Sequence, residues 1–182
     1  AGFVVGRKWP IETITRYFVP VLPDTASGWR SFATVTEARF EALRFQRGHE
    51  LYIMGGFKNA QIQISRRVEV VDLQTGAVTT RRDMPVGLSH AAALLHNDTV
   101  WIAGGFEGDH PGPVTARVWR YIPADDRWLE GPPLPEPRGG GAFVASGNRL
   151  HYIGGWLPDR NTDAKEHWVL FPGDTVWQSR AP

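Results

Sequence analysis

Six residues recur three times along the chain, and each copy ends in two glycines. The copies read LYIMGG at 51–56, VWIAGG at 100–105 and LHYIGG at 150–155. The first glycines of successive pairs are 49 and 50 residues apart. A fixed period of this length predicts a series of supersecondary units, because each unit can bury its apolar face only by stacking on its neighbours.

Two further markers have the same period. Trp29, Thr79, Trp128 and Trp177 follow one another at intervals of 49 or 50 residues. The unit junctions read VTEAR at 35–39, DMPVGL at 83–88 and LPEPR at 134–138. Three independent markers with one period indicate that the repeat covers most of the chain.

Each unit is predicted to contain four short strands, because apolar stretches alternate with turn-forming residues and no segment of useful length has helical apolar spacing. The predicted first strands are 40–45, 89–95 and 140–145; the second strands are 51–54, 99–103 and 149–153; the third strands are 68–73, 118–123 and 167–172; and the fourth strands begin near Thr79, Trp128 and Trp177. In the preceding segment, 12–19 and 28–35 resemble the third and fourth strands of an earlier unit.

The stretches VEVVDLQTG, GGFEG, ADDRWLEGPPLPEPRGGGAF and LHYIGGW together resemble the Kelch repeat over about 30–182. This resemblance implies an all-β fold, a Kelch-type β-propeller with one four-stranded blade per repeat. We expect three repeats at about 36–85, 86–135 and 136–182, preceded by an N-terminal segment, 1–35, that carries the outer strands of a partial blade. The fourth-strand tryptophans are expected to cover the next blade.

The sequence contains about three and a half such blades, whereas closed propellers have roughly four to eight. We therefore expect the chain to be part of a larger closed ring. It could be a segment of a longer propeller, or complete a ring with a second copy. A third alternative is a four-bladed ring that uses the N-terminal strands for closure.

Composition limits the classes of partner and cofactor. The net charge is +1, with 20 basic and 19 acidic residues, so no basic excess predicts nucleic-acid binding. No apolar run approaches the roughly 20 residues that span a membrane. The chain has no cysteine, and its six histidines do not pair at metal-ligand spacing, so we predict no metal and no cofactor. The stretch PDRNTDA resembles half of a calcium loop, but Ala164 and Leu170 replace its glycine and glutamate.

Long polar loops between the second and third strands are the main candidates for function. They cover 57–65, 106–116 and 156–165, and they begin with Phe57, Phe106 and Trp156 directly after the glycine pairs. These aromatic residues could stack on a ligand at the channel mouth, or they could only fill the tops of the blades.

Arginines at the junctions are a second set of candidates. In Kelch propellers that bind acidic peptides, arginines at such junctions contact carboxylates, and the resemblance implies this role for Arg39 and Arg138. The alternative is a structural role, and Leu88 interrupts the series. Arg66, His110 and Arg160 complete the candidate ligand-binding residues, whereas His90 is expected to be a core histidine.

These residues predict a ligand-binding module whose long-loop face binds a protein or peptide, with an acidic peptide as one candidate. The alternative is a carbohydrate-binding propeller or a sugar epimerase or mutarotase, which would need an acid–base residue at the mouth. The sequence offers Glu107, Asp109, His110, Asp159 and Glu166 for that role but no pattern that selects among them. We therefore assign no catalytic residue.

Overall fold

The computed structural model describes residues 16–19 and 30–181. In chain order the strands are β1 (Arg16–Val19), β2 (Arg30–Thr34), β3 (Leu43–Arg47), β4 (Glu50–Met54), β5 (Val68–Asp72), β6 (Val78–Arg81), β7 (Leu88–Ser89), β8 (Ala92–His96), β9 (Thr99–Ala103), β10 (Phe106–Glu107), β11 (Val118–Ile122), β12 (Arg127–Gly131), β13 (Ala142–Ser146), β14 (Arg149–Ile153), β15 (His167–Leu170) and β16 (Gln178–Arg180). The helical structure in these residues is one 3₁₀ turn, Pro123–Asp125, so the described part of the chain contains no helix capable of spanning a membrane.

Three four-stranded antiparallel sheets form the body of the fold, which confirms the predicted all-β class. Sheet I contains β3 to β6, sheet II contains β8, β9, β11 and β12, and sheet III contains β13 to β16. Within each sheet the strands follow one another in chain order, and the first strand of sheet II lies beside the first strands of sheets I and III. β1 and β2 form a separate antiparallel pair. They fall within the predicted strands 12–19 and 28–35, of which residues 12–15 and 28–29 lie outside the described residues.

The first strands begin two or three residues later than the sequence predicts, at Leu43, Ala92 and Ala142. The residues just after each junction pair with the residue that follows a glycine pair instead of joining the sheet. β7 pairs with β10, and Gly139 forms a bridge with Trp156. This pairing joins residues about 17 positions apart, so local alternation does not reveal it.

The glycine pairs allow adjacent repeats to approach each other closely. Gly104 and Gly105 both have positive φ, 65° and 99°. A Cβ atom on Gly104 would lie 2.2 Å from the carbonyl oxygen of Arg138 in the next junction, and the N–H of Gly105 donates to that same oxygen at 2.8 Å. A side chain at this position would separate the two repeats.

Apolar cores fill the spaces between successive sheets. One lies between sheets I and II around Met54, Val68 and Ile102. A second lies between sheets II and III around Phe143 and Trp168, and a smaller one joins β2 to sheet I.

The fourth-strand tryptophans face the preceding sheet, so the expectation that they cover the next one is wrong. The indole N–H of Trp177 donates to the carbonyl of Pro132 at 2.9 Å, and that of Trp128 donates to the carbonyl of Arg82 at 3.1 Å. Each acceptor belongs to the segment that follows the fourth strand of the preceding repeat. The side-chain direction is set by the register of the whole sheet, which the repeat period does not specify.

Candidate functional site

Five of the eight candidate ligand-binding residues lie together at one end of the sheets. They surround a half-open cleft of about 170 Å³. We call it the aromatic cleft, and it is lined by Phe57, His90, Phe106, His110, Gly112, Trp156 and Arg160.

The backbone fixes the three aromatic residues that follow the glycine pairs. Trp156 forms bridges on both sides, with Gly139 just after the junction and with Asp163 of its own loop. Phe57 makes the equivalent bridges with Phe40 and Ile64, and Phe106 is held in the same way in sheet II's repeat. Because the same local structure recurs in each repeat, the stacking of the sheets brings side chains about 50 residues apart into one cleft.

The rings of the cleft contact one another at tilted and stacked angles. The centroids of Phe106 and Trp156 are 6.3 Å apart at 26°, and the ring of His90 lies 5.1 Å from Phe106 and 5.8 Å from Trp156. Phe57 meets His110 edge-on at 6.5 Å. Phe57 and Phe106 are only 4% and 5% exposed, whereas Trp156 is 40% exposed. Trp156 is therefore the aromatic wall that is most accessible to a ligand.

Arg160 supplies the cationic group of the cleft. Its guanidinium carbon lies 4.1 Å from the centre of the Phe106 ring, and its Nη2 donates to the carbonyl oxygen of Gly112. The loop beneath it is closed by Asp159, whose carboxylate accepts hydrogen bonds from the backbone N–H and the hydroxyl of Thr162. These bonds, led by the one from the hydroxyl, lower the pKa of Asp159 below its usual range. Asp159 thus holds the loop that presents Arg160.

His90 is half-buried in the cleft wall, which makes the expectation of a core histidine wrong. Its Nδ1 lies 3.3 Å from a carboxylate oxygen of Glu41 and 3.2 Å from the hydroxyl of Ser89. Its side chain is 30% exposed. The equivalent position in the third repeat is Gly140. A glycine there indicates that His90 has a left-handed backbone, and it gives no reason to expect His90 in the core.

Arg39 and Arg138 lie outside the lining of the aromatic cleft. The Arg39 side chain is completely buried, bonds Glu69 at 2.5 Å and donates to the carbonyl of Arg67 at 2.6 Å. Arg138 is also buried, with its guanidinium 4.8 Å from the centre of the Trp168 ring.

The partner of each junction residue explains the interruption at Leu88. Glu69, Trp119 and Trp168 occupy equivalent positions on the third strands of the three sheets. Arg39 meets a carboxylate there and Arg138 meets an indole, whereas Leu88 shares an apolar core with Trp119. The junction residue therefore matches the third strand of its own repeat.

The remaining candidates are held by other contacts. Arg66 donates from Nε to the carbonyl of Met84 at 2.6 Å and lies outside the cleft. Asp109 accepts the backbone N–H of Ile64 at 2.7 Å, and Glu107 lies 3.5 Å from Arg117.

Glu166 is bonded to Arg138 at 3.0 Å. A backbone hydrogen bond, followed by the bond from Arg138, lowers the pKa of Glu166 below its usual range. Among the described residues, no group of three or more histidine or carboxylate side chains is placed to hold a metal ion.

Comparison with known proteins agrees with this architecture. The Kelch motif model matches residues 87–135. Beta-scruin of Limulus polyphemus is 30% identical over 133 residues, which is 70% of this chain and 14% of that protein. A Kelch repeat-containing protein of Arabidopsis thaliana is 24% identical over 167 residues, 88% of this chain and 39% of that protein. The chain belongs to the Kelch-repeat family.

The fold of this Kelch-repeat chain also resembles a solved structure. The structure of YjhT superposes with a TM-score of 0.73 at 17% identity, covering 87% of this chain and 58% of that one. The resemblance and the four-stranded sheets confirm the Kelch-type β-propeller fold. The chain spans less than two fifths of the length of the two curated relatives named above.

Proposed function

We propose that this Kelch chain is a ligand-binding module and that the aromatic cleft is the site at which it binds a protein or peptide. The observation that carries the proposal is the convergence of Phe57, Phe106 and Trp156 from three successive repeats on one half-open cleft. A rigid scaffold that presents several rings at its loop face suits the insertion of an apolar side chain.

The lining favours a peptide over a sugar. Aromatic rings form most of the cleft, and the polar groups are two imidazoles, the Arg160 guanidinium and the backbone of Gly112. A monosaccharide carries several hydroxyl groups that would each need a hydrogen-bond partner after burial. A peptide residue instead brings one apolar side chain together with one N–H and one carbonyl group.

Arg160 gives the cleft a preference for ligands that carry an acidic residue next to the inserted side chain. A guanidinium has five N–H donors, and the bond to Gly112 uses one of them. A carboxylate beside the inserted side chain would therefore gain a charge-assisted hydrogen bond. In this proposal Arg39 and Arg138 act as supports that join the junctions to the third strands.

The test is a titration followed by NMR of the ¹⁵N-labelled tryptophan indoles. The probes are the peptides Ac-Asp-Phe-Asp-NH₂, Ac-Lys-Phe-Lys-NH₂ and Ac-Asp-Ala-Asp-NH₂, with N-acetylneuraminic acid as the sugar. We expect the Trp156 indole signal to shift with the first peptide. The affinity for that peptide should fall about five-fold or more in Trp156→Ala, and the other two peptides should bind the unmodified chain about five-fold or more weakly.

Val176→Ala is the matched control, because Val176 is an exposed apolar residue outside the cleft. It should bind like the unmodified chain. Saturable sugar binding that is lost in Trp156→Ala, without a response to any peptide, would contradict the proposal.

A further inference from the structure

An unusual backbone conformation occurs at one equivalent position in all three repeats. Glu41, His90 and Gly140 each lie 14 residues before the first glycine of their repeat's pair. Their φ angles are 56°, 51° and 67°, all in the left-handed region. Glycine adopts this conformation without steric cost, whereas glutamate and histidine do not. The third repeat has the residue that the backbone favours, and the first two do not.

The two unfavourable residues contact each other across the repeat boundary. The Nδ1 atom of His90 lies 3.3 Å from the Glu41 carboxylate. The Glu41 carboxylate cannot donate a hydrogen bond, and the Ser89 hydroxyl, 3.2 Å from the same Nδ1 atom, can accept one, so the surroundings of Nδ1 favour the tautomer of neutral His90 that carries its hydrogen there. The other ring nitrogen, Nε2, then carries a lone pair, and it has no hydrogen-bond partner in the described part of the chain. Strain that persists at a residue lining a cleft is a reason to look for a role in binding.

Stacking also fixes the orientation of the His90 ring. It lies against Phe106 at 70° and against Trp156 at 44°, so its position in the cleft wall is held on two sides. A hydrogen-bond acceptor that is oriented before binding gives selectivity, because a ligand that lacks the matching donor leaves it unpaired.

We propose that Glu41 and His90 form a recognition dyad, in which Glu41 orients His90 so that Nε2 accepts a main-chain N–H of a peptide whose apolar side chain enters the aromatic cleft. This inference rests on the proposed function and adds that His90 recognises a main-chain N–H group of the ligand. Glu41 is a positioning residue, since its contact is with His90 and its side chain is 40% exposed beside the cleft. His90 is the residue that determines specificity.

The experiment compares two probes, Ac-Phe-NH₂ and its analogue methylated on the phenylalanine nitrogen. Methylation removes one N–H donor and keeps the aromatic side chain. In the unmodified chain we expect the methylated probe to bind about five-fold more weakly, the effect of one hydrogen bond. His90→Phe keeps an aromatic ring beside Phe106 and Trp156 but removes both nitrogens, so it should bind the two probes equally.

Glu41→Ala tests whether Glu41 positions His90. The measurement is the tautomer of the His90 ring, which a purely structural role of Glu41 would not change. Alanine bears the same left-handed backbone cost as glutamate, so the substitution removes the carboxylate with little change in strain. The ¹⁵N signals of the His90 ring should report hydrogen on Nδ1 in the unmodified chain and a shift toward the other tautomer in Glu41→Ala. The affinity difference between the two probes should shrink at the same time.

Each outcome decides between the two proposals. If the unmodified chain binds both probes equally, or if His90→Phe keeps the difference, the dyad is wrong while peptide binding stands. If neither probe binds and N-acetylneuraminic acid does, the proposed function fails and the dyad fails with it. A His90 ring that carries hydrogen on Nε2 in the unmodified chain would overturn the dyad even if peptides bind.

Discussion

Removing one partner of the buried ion pair between Arg39 and Glu69 should destabilise the protein more than most single substitutions. Both side chains are completely buried. In Arg39→Met the apolar stem remains, but the Glu69 carboxylate loses its cation. Its other oxygen still accepts the N–H and the hydroxyl of Thr36 at 2.7 Å and 2.6 Å.

The magnitude follows from the cost of an uncompensated charge. Breaking a buried pair from one side costs about 3–5 kcal/mol. The carbonyl of Arg67 also loses the bond from Arg39, but it still accepts the N–H of Gly55 at 3.2 Å, so it adds little to the loss. With a urea m-value of about 2 kcal/mol/M, the unfolding midpoint should fall by about 2 M.

The double substitution Arg39→Met with Glu69→Leu is the matched control. It removes both charges and keeps approximate volume, and the exposed Thr36 can bond to water instead. Because a buried ion pair and an apolar pair are often equivalent in stability, the double variant should lie within about 1.5 kcal/mol of the unmodified chain. Urea denaturation followed by circular dichroism measures both. A single variant that loses under about 1 kcal/mol, or a double variant as unstable as the single, would refute the reasoning.

Three further substitutions test a close contact within the second repeat, the titration of sheet III and a hydrogen bond between repeats. Gly105→Ala should lose more than about 2 kcal/mol in urea denaturation, because φ is 99° and the new Cβ would lie 2.7 Å from that of Ala91. Burial, and then the neighbouring His167, lowers the pKa of His151, so the stability that neutral His151 provides is lost as pH falls from about 6.5. His151→Gln should flatten the fall in melting temperature over that range. Trp177→Phe should cost about 1–2 kcal/mol by losing the indole bond to the preceding repeat.

The control for Gly105→Ala is a glycine that also has positive φ but has free space around it. Gly147 has φ of 56° but no atom within 4 Å of a new Cβ, so Gly147→Ala should cost about 1 kcal/mol. Equal losses at Gly105 and Gly147 would show that the close approach of Gly105 to Ala91 is not the cause. An unaltered pH profile in His151→Gln would contradict the burial argument. Trp177→Phe without any loss would mean that the indole bond contributes nothing.

Local pattern predicted the strands that lie between glycine and turn residues. The second strands Thr99–Ala103 and Arg149–Ile153 begin and end at the predicted residues. Alternation and turn chemistry act over a few residues, so one sequence contains that information. The starts of the first strands were misplaced because Phe40 and Ser89 pair with Phe57 and Phe106 instead of joining the four-stranded sheets.

The candidate site was only partly predictable. Phe57, Phe106 and Trp156 were selected because they follow the glycine pairs, and the structure brings them to one cleft; their role in ligand binding stays a prediction. The sequence treats Arg39 and Arg138 alike, yet Arg39 pairs with a fully buried carboxylate, whereas Arg138 lies over an indole and pairs with the exposed carboxylates of Glu136 and Glu166.

The sequence by itself determined the repeat period, the number and order of strands in each unit, and the Kelch family, because these depend on residues that are close along the chain. Only the tertiary structure decided which residues of different repeats meet. The contact between Glu41 and His90, and the cleft shared by rings from three repeats, depend on how the sheets pack against each other. That packing is the sum of many weak apolar contacts between sheets, and no short stretch of sequence specifies it.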